Sequence, residues 1–174
     1  MAKIVNLAEY QKAIAARIQE SVSVPTVGAK LGLEFGGGKY LVDVGEFSEV
    51  IPDLEVTPVP FTQPWFLGVA DIRGLIHGVV DMGVFANRGG ARNESGRHYV
   101  VSGPQFELRS ALLVQRVLGL RRVDDWRQVR MAPAGPAWIK GHFVDEHDET
   151  WREISLKELL GHPDFLQIAQ QGEK

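Results

Sequence analysis

The sequence predicts a mainly β fold of closed or nearly closed antiparallel barrels, with helices only at the two ends. Three observations carry this prediction. Short apolar runs of period two recur along the chain, Gly and Pro punctuate them, and strand-like and helix-like stretches do not alternate as a parallel nucleotide-binding sheet requires. A chain of 174 residues can bury roughly 70% of its unfolded surface and so fold on a core of its own.

The first 22 residues carry the clearest helical pattern, with Ile4, Leu7, Tyr10, Ile14, Ile18 and Val22 recurring at three- or four-residue spacing. Asn6 and Glu9 suit a capping box, and Val5 with Tyr10 suits the hydrophobic staple. Ser23, Pro25 and Gly28 stop the helix near Ser21. From residue 29 the period becomes two: Leu31, Leu33 and Phe35 alternate with Lys30, Gly32 and Glu34. After the turn Gly36-Gly37-Gly38, Tyr40, Val42 and Val44 resume the alternation, so residues 30–44 read as a β-hairpin. Apolar runs at 65–72 and 75–80 flank Arg73-Gly74 and read as a second hairpin.

The polar, glycine-rich stretch 88–97 reads as a loop dividing the chain into halves of similar strand character. Beyond it, strands are expected at 98–101, 106–115, 117–123, 138–144 and 150–154, with the acidic tract 145–149 as a solvated turn. Ser155 and Glu158 form a capping box for a short helix over 156–160, ended by Gly161 and Pro163, and a last helical stretch is expected over 163–170.

Composition narrows the function. Zero cysteines exclude disulfides, thiolate zinc sites and a cysteine nucleophile. A formal charge of −3 offers no footprint for nucleic acid. There is no apolar run of the ~18 residues that a membrane-spanning helix needs, and residues 1–6 lack a secretory signal's apolar region, so the expectation is a cytoplasmic protein without direct membrane insertion. Gly36-Gly37-Gly38-Lys39 lacks the spacing of a phosphate loop, with Tyr40 where the magnesium-holding hydroxyl belongs. Ser95 and Ser102 do not sit in a nucleophile turn. His142 and His147 bracket several carboxylates without matching a metal motif, so a hairpin turn is the simpler reading. Asp81 reads as the cap of the turn at 82–85. Arg73 stands out, because an arginine fork beside apolar strand surface suits a protein-binding groove.

At this point a resemblance becomes specific. EFSEVIPDLEVTPVPFTQPWFLGVADIRGLIHGVVDM, residues 46–82, resembles the signature region of CheW-like domains: Glu-Val-Ile, a proline-bounded segment, Leu-Gly-x-x-x-hydrophobic-Arg-Gly, then Val-Val-Asp. Residues 39–44, 108–117 and 138–160 resemble other family segments, so coverage runs from about 29 to 162. Arg116, near a position that is often acidic in the family, and the helix preceding the common core are departures. The 46–82 match looks most like the branch linked to type IV pilus twitching motility.

The resemblance implies two packed five-stranded SH3-like β-barrels, without catalysis or cofactor. It implies an adaptor between the cytoplasmic tip of a methyl-accepting chemoreceptor, bound along a groove, and the regulatory domain of a CheA-type histidine kinase, bound through barrel ends. Phe47 and Glu49 fall in the receptor-side segment; Gly68, Arg73 and Gly74 fall in the Arg-Gly motif; and Phe47, Ile72 and Arg73 are expected to line the groove. The kinase-contact residues are left unassigned. The expected organisation is a helical extension (1–24), a domain (25–165) of two sub-barrels at roughly 29–87 and 97–155 with strand exchange between them left open, and a tail (166–174). Alternatives are an adaptor of flagellar chemotaxis, an auxiliary regulator of a CheA-type kinase and, more remotely, a small β-barrel hydrolase or metal enzyme.

Overall fold

A computed structural model describes residues 28–86, 97–130 and 135–170. The expected N-terminal helix and nearly all of the 88–97 loop lie outside the described residues. In order, the strands are β1 (Ala29–Phe35), β2 (Gly38–Asp43), β3 (Phe47–Ile51), β4 (Phe66–Ile72), β5 (Leu75–Asp81), β6 (His98–Ser102), β7 (Ser110–Val114), β8 (Arg116–Arg122), β9 (Arg127–Val129), β10 (Ile139–Val144) and β11 (Thr150–Ile154). Three short α-helices accompany them among the described residues, α1 (Met82–Phe85), α2 (Leu156–Leu160) and α3 (Pro163–Leu166), with one 3-10 turn at Val44–Glu46.

Both anticipated hairpins form. Gly36 and Gly37, at φ 53° and 68°, turn β1 into β2; Arg73 and Gly74, at 55° and 80°, turn β4 into β5. Two successive positive φ values match the right-handed twist of the flanking strands. Gly74 tolerates its value freely, whereas Arg73 is an L-residue held in the left-handed region, and its neighbour's backbone is fixed by a 2.8 Å bond from Gly74 N–H to Asp71 Oδ1.

The strands form a six-stranded sheet, β8-β1-β2-β11-β10-β9, and a five-stranded sheet, β3-β6-β7-β5-β4, where two five-stranded units were expected. Sheet membership does not follow the 87–97 divide. β1 and β2 from the first half join β8 to β11, and β6 and β7 from the second half join β3 to β5. Nor is pairing wholly antiparallel: β2 runs parallel to β11 and β5 parallel to β7. Parallel neighbours need long connections, and both pairs join strands from different halves of the chain, as do the antiparallel pairs β1–β8 and β3–β6.

Three apolar clusters result. The largest draws on both sheets, with Leu33, Phe35, Tyr40 and Ile154 from one and Val80, Val100, Leu112 and Val114 from the other, and takes in Leu156, Leu159 and Phe165 of the closing helices. A second lies within the five-stranded unit around Ile72, Val79, Tyr99 and Leu113, and a third within the six-stranded unit around Leu41, Val123 and Trp151.

Some local expectations change. The strand predicted over 106–115 begins only at Ser110, because the chain after Gly103 is a turn closed by Phe106 N–H to Gly103 O (3.2 Å) and by Ser110 N–H to Ser102 Oγ (3.0 Å). The last helix stops at Leu166. Ser155 caps α2 by accepting from Glu158 N–H at 3.3 Å, but its own N–H goes to Trp138 O, so the reciprocal half of the box is not made. Glu46 takes over, accepting from Leu156 N–H at 3.0 Å and tying the turn before β3 to the start of α2. Asp81, fully buried, caps α1 as expected, accepting from Val84 N–H at 3.0 Å.

Candidate groove at the β4–β5 hairpin

The tip of the β4–β5 hairpin and β3 enclose a groove of about 360 Å³ lined by Glu49, Ile72, Arg73, Leu75, His77 and Arg109, with the turn at 103–104 on its far side. Its floor is apolar and anchored: Ile72 belongs to the core of the five-stranded unit. Its lip is charged. Arg73 Nη2 donates to Glu49 Oε2 at 2.9 Å, yet the arginine side chain remains 79% exposed. An exposed pair of this kind contributes little to stability, so the fork is available to a partner at small cost. Next to it, Leu75 and Ile76 are 48% and 62% exposed, an apolar step beside the groove. His77 is buried, with Nδ1 2.9 Å from Leu75 O, and so is committed to its own strand.

The residues singled out from the sequence separate into three groups. Glu49, Ile72 and Arg73 line the groove together, and Gly74 completes the turn that presents Arg73. Phe47 packs against the central core and does not line the groove. Gly68 is buried elsewhere on β4, where the backbone of Thr57 crosses it: Thr57 N–H to Val69 O is 2.8 Å and Val69 N–H to Thr57 O is 2.9 Å. Leu75, Ile76 and Arg109 were not anticipated. The adjacent apolar pair Leu75-Ile76 was a signal, since strict alternation puts one of two neighbours on the open face.

These features coincide with a family match. Residues 31–164 match the CheW-like domain family, which is most of the chain. The chain belongs to the CheW-like domain family. Protein PilI of Pseudomonas aeruginosa is 24% identical over 172 residues, covering 95% of this chain and 94% of that protein. The scaffolding protein TtCheW of Thermoanaerobacter tengcongensis shares the fold, with a TM-score of 0.68 at 20% identity over 79% of this chain and 94% of that one.

The acidic tract after β10 has a structural purpose. Asp145 accepts from His147 N–H, Glu149 N–H and Trp151 Nε1–H, each at 2.9 Å. Partial burial pushes its pKa up, but the bonds from Trp151, Glu149 and His147 outweigh this, so the carboxyl sits below its ordinary value. Among the described residues no cluster of His, Asp and Glu is placed to hold a metal ion, and His142 stands beside Arg152, a poor neighbour for a cation. Asp145→Ala is expected to cost about 1–2 kcal/mol at neutral pH, judged by chemical unfolding. A folded-state pKa below the unfolded one gives stability that is present above the unfolded value of ~3.9 and lost as pH falls through the depressed value. The gap between wild type and variant should therefore close in acid; a gap that widens there refutes the assignment.

Among the described residues no helix is long and apolar enough to cross a membrane.

Proposed function

We propose that this protein is a non-enzymatic adaptor that couples the cytoplasmic tip of a methyl-accepting chemoreceptor to the regulatory domain of a CheA-type histidine kinase, in the control of type IV pilus twitching motility. The observation that carries this reading is the groove itself: an apolar floor at Ile72, an exposed apolar step at Leu75 and Ile76, and an exposed arginine fork at Arg73 paired with Glu49 at the lip. Helix-in-groove recognition needs this combination of apolar trough and sparse polar fixing groups. Membership of the CheW-like family supports the adaptor role, and the likeness to PilI supports the twitching branch. On this reading Glu49, Arg73 and Gly74 act at the receptor contact, Gly68 and Phe47 act by shaping the strands behind it, and the kinase docks elsewhere on the barrels.

Arg73→Ala is expected to weaken binding of a purified receptor signalling fragment roughly tenfold or more, the range of an interface arginine, while the thermal midpoint stays unchanged because the side chain is exposed. The check is a pull-down with tagged protein, wild type against variant. Recovery of kinase and receptor by wild type, with the receptor alone lost from the variant, supports the reading. Undiminished receptor binding by a folded variant removes Arg73 from the contact, and absence of both partners with wild type removes the adaptor role.

A further inference from the structure

A second cavity lies away from the groove, and its chemistry differs. Tyr40 of β2, Arg152 of β11 and His142 of β10 stand in one row across three neighbouring strands, paired Tyr40 to Arg152 and Arg152 to His142. All three line a cavity of about 140 Å³ whose other walls include Trp138 and Pro136. The guanidinium is held in place: its Cζ is 5.6 Å from the Tyr40 ring centre, Tyr40 is stacked on Phe35 at 3.8 Å, and a Cβ added at Gly38 would lie 2.9 Å from Arg152 Nη1. Yet Arg152 has no carboxylate within ion-pair distance among the described residues. The nearest acid in sequence, Glu153, is turned to Lys30 at 2.8 Å. A pre-positioned arginine fork facing a histidine, its N–H donors not taken by a carboxylate, is the arrangement that binds a planar carboxylate bidentately.

We infer that this cavity is a ligand site for an organic carboxylate, with Arg152 gripping the carboxylate, His142 donating to it and the ligand's apolar body directed along Trp138. The body has somewhere to go: Pro136 and Trp138 also wall an adjoining cleft of about 530 Å³ that continues to Trp65 and Phe85. An aromatic or large aliphatic body therefore suits the site better than a bare anion. His142 reports occupancy, because burial first and the charge of Arg152 second hold its pKa below the ordinary value, and a carboxylate that offsets Arg152 reverses the second effect.

The test is an NMR titration of the full chain with N-acetylphenylalanine, following the His142 ring and the Arg152 side-chain N–H, with the uncharged amide of the same compound and acetate as comparisons. The expected result is saturable shifts at roughly millimolar concentration, a rise in the His142 pKa on binding, weaker binding of acetate and none of the amide. Arg152→Gln should weaken binding roughly tenfold or more, and Arg152→Lys, which keeps charge without the fork, should fall between. Unchanged thermal unfolding of the variants confirms that the site and not the fold has been altered. Equal shifts with the amide, binding that survives Arg152→Gln, or no saturable shift at all overturns the inference.

Discussion

Replacing Glu153 by alanine is expected to lower the unfolding free energy by about 3 kcal/mol at neutral pH. Lys30 and Glu153 are 9% and 8% exposed, 2.8 Å apart, and flank β2 inside the six-stranded sheet. Removing one partner strands a mostly buried charge. Asp43, 3.6 Å from Lys30 but itself half exposed, softens the loss without replacing the bond. Lys30→Met should cost a similar amount, since Lys140 at 3.7 Å is then the remaining cation near Glu153. The double change Lys30→Met with Glu153→Leu should recover most of the stability, because two packed apolar residues escape the desolvation that the pair must overcome. Chemical unfolding of the four proteins completes the cycle, and single variants within about 0.5 kcal/mol of wild type would show the pair to be solvated.

The pair also has a pH signature. Burial alone depresses the Lys30 pKa, but the hydrogen bond and charge of Glu153, aided by Asp43, outweigh it and leave the value raised. A raised folded value gives stability that is complete below the unfolded lysine value of ~10.4 and lost as pH rises through the higher folded value. Wild type should thus weaken at strongly alkaline pH, and Lys30→Met should lack that component. Stability of the two proteins that declines in parallel there contradicts the assignment.

What the sequence made legible divides along the range of the interactions. The hairpins turning at Gly36-Gly37 and Arg73-Gly74, strand 150–154 and helix 156–160 are set by neighbours a few residues apart, and each formed where expected. The parallel pairing of residues 39–42 with 151–154 joins segments over a hundred residues apart, and nothing in either segment announces the other. Lys30 illustrates the difficulty. In the alternating pattern of β1 it reads as a solvent-facing residue, and only the arrival of Glu153 on β11 makes its position an interior one. β3 was missed as a strand because its register shifts between Phe47 and Glu49, which breaks the alternation that periodicity detects. For the groove, the resemblance pointed to Glu49 and Arg73, but their contact spans 24 residues and belongs to the fold. Arg152 and His142 carried no motif, and their alignment depends on a register that only the assembled sheet defines.

Gly68→Ala should be the most damaging of the single-residue changes on the β4–β5 hairpin, with a loss of about 3 kcal/mol or more. Gly68 has φ +135°, a conformation that residues with a Cβ rarely adopt, and an added Cβ would lie 2.1 Å from Thr57 O and 2.8 Å from the Pro58 Cα. Both obstacles are backbone, so no side-chain rotation relieves them. Either β4 distorts, or the Thr57–Val69 bridge opens and the segment carrying Leu54 and Val56 lifts from the core they cover. A fall of the thermal midpoint by roughly 10 °C, with faster hydrogen exchange at Thr57 and Val69, is the expected outcome. The comparison with Arg73→Ala then separates two roles inside one motif. If Gly68 serves the fold, its variant loses stability and receptor binding together, and the binding loss tracks the unfolded fraction. If Gly68→Ala instead leaves the midpoint intact and abolishes receptor binding, the glycine meets the partner directly, and the groove extends along β4 beyond the hairpin tip.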